Sequence, residues 1–144
     1  MPQATSDITF FNSFRLEYGK GSHDFSSDVL KVALFDDLPD YATAELLADL
    51  TGEVANGNGY TTGGNTVDNT LWDVDGPVAS LTGDDVVFTP TGAGFGPFQY
   101  AVLYNDSATG DMLIGFYAYT SSESVAPPVT FTVDFDDLAI LTLE

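Results

Sequence analysis

From Asp28 onward, apolar residues come in short runs or at every second position, and turn residues separate them. A period of two sends successive side chains to opposite faces of a strand, so this pattern predicts β-structure. The predicted strands cover residues 29–35, 60–67 (interrupted by Gly63-Gly64), 70–74, 85–89, 98–104, 112–119, 129–135 and 138–143. Asp36-Asp37-Leu38-Pro39-Asp40 predicts a turn, and Asn56-Gly57-Asn58-Gly59 an open loop. The plainest hairpin runs from Phe98 to Tyr119, around Asn105-Asp106-Ser107-Ala108-Thr109-Gly110. Two stretches break the period. Residues 7–18 read as a helix capped by Ser6 or Asp7, with Phe11, Phe14 and Tyr18 at three- and four-residue spacing. Gly19-Lys20-Gly21 stops it, and residues 42–50 predict a second short helix.

Regularly spaced short strands after one helix predict a mainly β protein. The expected form is an antiparallel, jelly-roll-like β-sandwich with a short N-terminal helix. The length of 144 residues fits one domain over 1–144. Hydrophobic residues at 44% and aromatics at 13% supply a core.

Charge narrows the function. Three Lys and Arg stand against 22 Asp and Glu, a net charge of −19. Arg15, Lys20 and Lys31 cannot build a basic patch, so direct nucleic-acid binding is not expected. Lysine is scarce along the whole chain, which favours a protein working in high salt over an acidic protein of ordinary habitat facing a basic partner. No apolar run reaches the roughly 20 residues of a membrane helix. The first residues, Met1 to Asp7, do not read as a secretory signal.

Candidate chemistry is sparse. Without cysteine, neither disulfides nor thiolate metal sites are available, and one histidine, His23, cannot make a multi-histidine zinc site. His23 follows Gly21-Ser22 and is expected at the surface. The Asp pairs at 36/37, 84/85 and 136/137 read as solvated loop acids rather than a glycosidase pair. Asp73-Val74-Asp75-Gly76 opens like a calcium loop but lacks the later ligands. Asp134-Phe135-Asp136-Asp137 is the other acidic cluster, and no metal or cofactor is expected. Gly57, Gly59, Gly63 and Gly64 read as turn glycines, since no Gly-Lys-Ser/Thr follows.

Several segments, taken in order, look familiar. They are Phe11-Asn12-Ser13-Phe14, Tyr18-Gly19-Lys20-Gly21, Asp28-Val29-Leu30-Lys31-Val32-Ala33-Leu34 and the run Glu53 to Gly64. Tyr100-Ala101-Val102-Leu103-Tyr104, Leu113-Ile114-Gly115-Phe116 and Ala139-Ile140-Leu141-Thr142-Leu143 continue the series. Together they resemble small virion structural proteins of tailed bacterial and archaeal viruses. The resemblance covers most of the chain and carries no active site. It implies a non-enzymatic capsid decoration or cement protein on the virion surface, bound to the major capsid protein or other virion proteins and to sister copies. The acidic balance departs from that group and fits a virus of a saline habitat. A tail or neck component, or a carbohydrate-binding sandwich on a spike, is the alternative. The sugar reading needs Tyr60, Trp72 and Tyr119 in one exposed patch. The decoration reading places docking on Phe10, Phe11 and Phe14 of the helix, with Phe116, Tyr117 and Tyr119 second.

Overall fold

Valine, leucine and aromatic residues at 30–35, 95–105 and 112–125 pair as antiparallel strands in the computed structural model, which describes residues 8–135 and 139–143. In chain order the elements are β1 (Thr9–Phe10), α1 (Asn12–Gly19), β2 (Leu30–Phe35), β3 (Asn65–Thr66), β4 (Leu71–Asp75), β5 (Val78–Thr82), β6 (Val86–Phe88), β7 (Phe95–Asn105), β8 (Met112–Val125), β9 (Phe131–Val133) and β10 (Leu141–Leu143). A five-stranded sheet has the order β1-β8-β7-β2-β3; β10-β5-β4 and β6-β9 form smaller sheets. The sheets pack together as a β-sandwich-like fold with one short N-terminal helix.

β2, β7 and β8 each carry a stretch that is buried residue after residue: Val32 to Phe35, Ala101 to Asn105 and Leu113 to Tyr117. Consecutive residues of a strand point to opposite faces, so both faces must be covered. One cover is β6–β9 together with Phe135 and Ile140. Phe131 meets Phe98 at 4.6 Å and Tyr119 at 5.4 Å, and Tyr117 meets Phe135 at 5.9 Å. The Tyr117 hydroxyl donates to the Ile140 carbonyl. On the other side, Phe116 meets Phe11 at 5.7 Å, Tyr100 at 5.9 Å and Tyr41 at 6.3 Å. Tyr41 belongs to the segment that leaves β2 at Phe35 and reaches Leu46, which bridges to Met112.

Several expected elements differ. The helix predicted at 7–18 occupies only Asn12–Gly19, because Thr9 and Phe10 pair with Phe116 and Gly115 on β8. An open sheet edge offers these β-formers more than a helical turn does. Phe11 stands extended before the helix with no side-chain cap; Ser6 and Asp7 lie outside the described residues. The helix expected at 42–50 is a turn followed by a single 3-10 turn, Leu47–Asp49. Asp40 takes the N–H groups of Ala42 and Thr43, and Asp49 those of Glu45 and Leu46. Such side-chain bonds compete with helix formation.

Within 60–67 only Asn65–Thr66 pairs as a strand. Gly64, at φ +76°, lies so close to β2 that a Cβ there would overlap the Val32 carbonyl. The strand expected at 129–135 is limited to Phe131–Val133, and that at 138–143 to Leu141–Leu143, with Leu138 outside the described residues. β5 was not foreseen. It pairs with β4 across Gly76-Pro77, in the register Asp75↔Val78.

Gly64 and Gly21 both have positive φ, but nothing lies within 4 Å of a Cβ on Gly21. Gly64→Ala is therefore expected to lower the urea midpoint well beyond Gly21→Ala. Equal shifts would show that the approach to β2 does not matter.

Candidate functional site

The residues expected to dock a partner sit mostly inside the chain. Phe11, Phe14, Phe116, Tyr117 and Tyr119 are all buried in its own core. Phe10 is half-buried, stacked on Phe14 at 5.1 Å, with the Arg15 guanidinium 5.7 Å from its ring centre. A partner reaches part of Phe10 and little else of that set. The reason lies in the strand pairing: β1 draws Phe10 onto the sheet edge, and the Phe11 N–H donates to the Ile114 carbonyl. Exposed apolar surface belongs to other residues of the chain. Leu16 is 59% exposed, Leu71 57% and Val74 63%; Tyr18 is also exposed.

The aromatics of a sugar platform are not gathered outside either. Tyr60 and Tyr119 are buried, and Trp72 is half-buried against Phe25 at 5.2 Å.

The acids mostly hold loops. Asp24 accepts from the Ser26 N–H and from the Ser26 and Ser27 hydroxyls, and these bonds, led by Ser26, hold its carboxyl below the usual range. Asp40 is lowered chiefly by the Thr43 hydroxyl, and Asp49 by the Leu46 and Glu45 N–H groups. Glu17 is lowered by the Ser22 hydroxyl and then by Lys20, which it meets at 2.9 Å. Asp37 accepts from the Thr51 hydroxyl, Asp84 from the Asn69 amide, and Asp85 from the Phe135 N–H.

The calcium-like run Asp73-Val74-Asp75-Gly76 is the end of β4 and the start of its hairpin turn. Gly76 has φ +59° and Pro77 has its φ fixed near −65°, the combination a type II′ hairpin needs. Asp73 accepts from the Val74 N–H. Among the described residues no group of three or more His, Cys, Asp or Glu is placed to hold a metal ion. In the second acidic cluster, Asp136 and Asp137 lie outside the described residues.

The glycine-rich loop closes on a half-buried carboxylate and two tyrosines. Glu53 Oε1 accepts from the Tyr60 hydroxyl at 2.8 Å and from the Gly63 N–H at 2.6 Å. The Tyr60 oxygen accepts in turn from the Leu34 N–H on β2, and the Tyr104 hydroxyl donates to the Gly63 carbonyl at 2.5 Å. Burial pushes both tyrosines well above their usual range, so they stay protonated and donate. This loop ties to β2 and β7 rather than to a phosphate.

His23 is the other departure. It was expected at the surface and is 7% exposed, packed on Phe14 and Phe25 at ring distances of 5.3 and 5.9 Å. Its Nδ1 lies 3.0 Å from the Asn105 amide nitrogen. The only sequence signal was aromatic: Phe14, Tyr18 and Phe25 flank it at short range.

No helix among the described residues is long and apolar enough to cross a membrane. Comparison with protein-family models, with curated proteins and with solved structures finds no match.

Burial separates two sets of substitutions. Phe11→Ala and Phe14→Ala should each destabilise the free chain by about 3–5 kcal/mol. Leu71→Ser should change it by about 0.5 kcal/mol or less. Chemical denaturation checks both; near-neutral effects at Phe11 and Phe14 would return them to the surface. Glu53→Ala should remove about 1–3 kcal/mol, because it leaves the Tyr60 and Gly63 donors without their acceptor.

Proposed function

We propose that this chain is a non-catalytic structural protein of a virus particle, a capsid decoration protein that works in concentrated salt. The observation that carries the non-catalytic part is the use of the carboxylates. Asp24, Asp28, Asp40, Asp49 and Glu53 each bind N–H, hydroxyl or amide groups of nearby loops. A general acid and base need two carboxylates of unlike environment facing one substrate. These acids instead face their own backbone, which suits a rigid surface module.

The likeness of the ordered segments to small virion structural proteins supplies the setting, with capsid protein and sister copies as partners. The charge supports the saline habitat. The cations are engaged locally: Lys20 with Glu17, Lys31 with Asp106 at 3.7 Å, and Arg15 over Phe10. Nineteen negative charges remain in excess. A surface of this kind repels itself in dilute buffer and is screened in brine, where the Debye length falls to about 3 Å at 1 M.

The melting temperature is therefore expected to climb from low to molar salt; a flat or falling curve would remove the saline habitat. The virion setting is tested by the neighbouring genes and by particle proteomics. Capsid, portal or tail genes alongside, with the chain in purified particles at a copy number commensurate with the shell, are expected. A metabolic gene cluster and particles without the chain would overturn the reading.

A further inference from the structure

The buried histidine sits where four parts of the fold meet. Asn105, at the end of β7, is fully buried. Its Oδ1 accepts from the Ser107 and Ala108 N–H groups at 3.0 and 3.1 Å. Its Nδ2 lies 2.6 Å from Asp28 Oδ2 and 3.0 Å from His23 Nδ1. Turning the amide over would set its oxygen against a carboxylate and its NH2 against two N–H donors. The orientation is thus fixed by its partners. With Nδ2 as the donor, His23 Nδ1 must accept. The ring is then neutral and carries its proton on Nε2, a buried atom with no hydrogen-bond partner.

We propose that the loop at residues 20–28 is an acid-released latch: protonation of His23 breaks its bond to Asn105 and frees the loop, uncovering the rings of Phe14, Phe25 and Trp72.

A proton on Nδ1 puts two donors face to face and makes the imidazolium compete with Asn105 for Asp28. Asp28 Oδ2 also accepts from the Asp24 N–H at 2.8 Å, so the competition reaches the loop backbone. Phe25 carries the change outward, because it touches Phe14, Tyr18 and Trp72. The charged groups around the ring are Glu17 from α1, Lys20 just past its end, Asp24 and Asp28 from the loop, and Asp106 beside Asn105, itself near Lys31. On β4, Asp73 and Asp75 alternate with Trp72 and point to the other face. Asp28 and then Glu17 favour the cation, but burial outweighs them and lowers the pKa of His23. A lowered pKa means that the folded chain binds the proton less readily than the unfolded one. The latch is then fully closed above roughly pH 6.5 and loosens as the pH falls below it. Unperturbed carboxylates titrate near pH 4, so the range from about 6.5 to 5 belongs to the one histidine.

The experiment uses the whole chain at fixed molar salt. Trp72, the single tryptophan, reports the latch by its emission, and the single imidazole is followed by 15N NMR. At pH 7.5 the Nε2–H tautomer is expected. As the pH falls below about 6.5 the ring and the Trp72 emission should change together with one reversible midpoint. His23→Gln, whose side-chain oxygen can still accept from Asn105, should give flat emission over that range. An Nδ1–H tautomer, a midpoint at or above about pH 6.5, or the same emission change in His23→Gln would overturn the latch. Should His23→Gln fail to fold, the native chain decides. Coincident ring and Trp72 midpoints support the latch, and separate midpoints refute it.

Discussion

Over Ala101–Asn105 and Leu113–Tyr117 the β7–β8 hairpin is buried on both of its faces, and this requirement organises the rest of the chain. A half-solvated sheet needs one cover; this one needs two, from only 144 residues. The β6–β9 sheet supplies one cover through Phe131, with Phe135 just beyond it, while Phe11 and the segment carrying Tyr41 supply the other. Aromatic rings suit the task because each fills a large volume and tolerates tilted or edge-on contact. Backbone polar groups in the covering loops still need partners. In the segment carrying Tyr41, Asp40 and Asp49 accept the N–H groups of Ala42, Thr43, Glu45 and Leu46, and Asp85 accepts that of Phe135, so part of the acidic composition is tied to the two covers.

That link also explains how so acidic a chain folds. A carboxylate that accepts N–H and O–H groups from its own loop is favoured in its charged form. Asp24, Asp40 and Asp49 are all held ionised in this way. Local bonding stabilises each charge, but it does nothing for the repulsion among nineteen unbalanced ones. Dissolved salt is the remaining source of screening.

The sequence made some of this legible. Short apolar runs bounded by turn residues placed β2 and the β7–β8 hairpin nearly where they occur, because a strand buried on both faces is apolar at consecutive positions, and alternation placed β4. It failed where a distant partner decided the outcome. Phe10 looks helical beside Phe11 and Phe14 until the β8 edge is there to pair with it. β5 was hidden because Val78-Ala79-Ser80-Leu81-Thr82 is short and half-polar; its strand character comes from lying between β4 and β10. The supposed docking residues were aromatic, and composition alone cannot tell an interface anchor from a core ring. His23 looked like a loop residue since Asn105, which fixes it, lies far along the chain.

Hydrogen exchange resolved by residue, in molar salt, tests the two-sided core most directly. The account predicts that the amides of Ala101 to Asn105 and Leu113 to Tyr117 exchange slowest, and only with global unfolding. Exchange at those amides as fast as in β4 or α1 would contradict it, since a hairpin covered on both faces cannot open before its covers do.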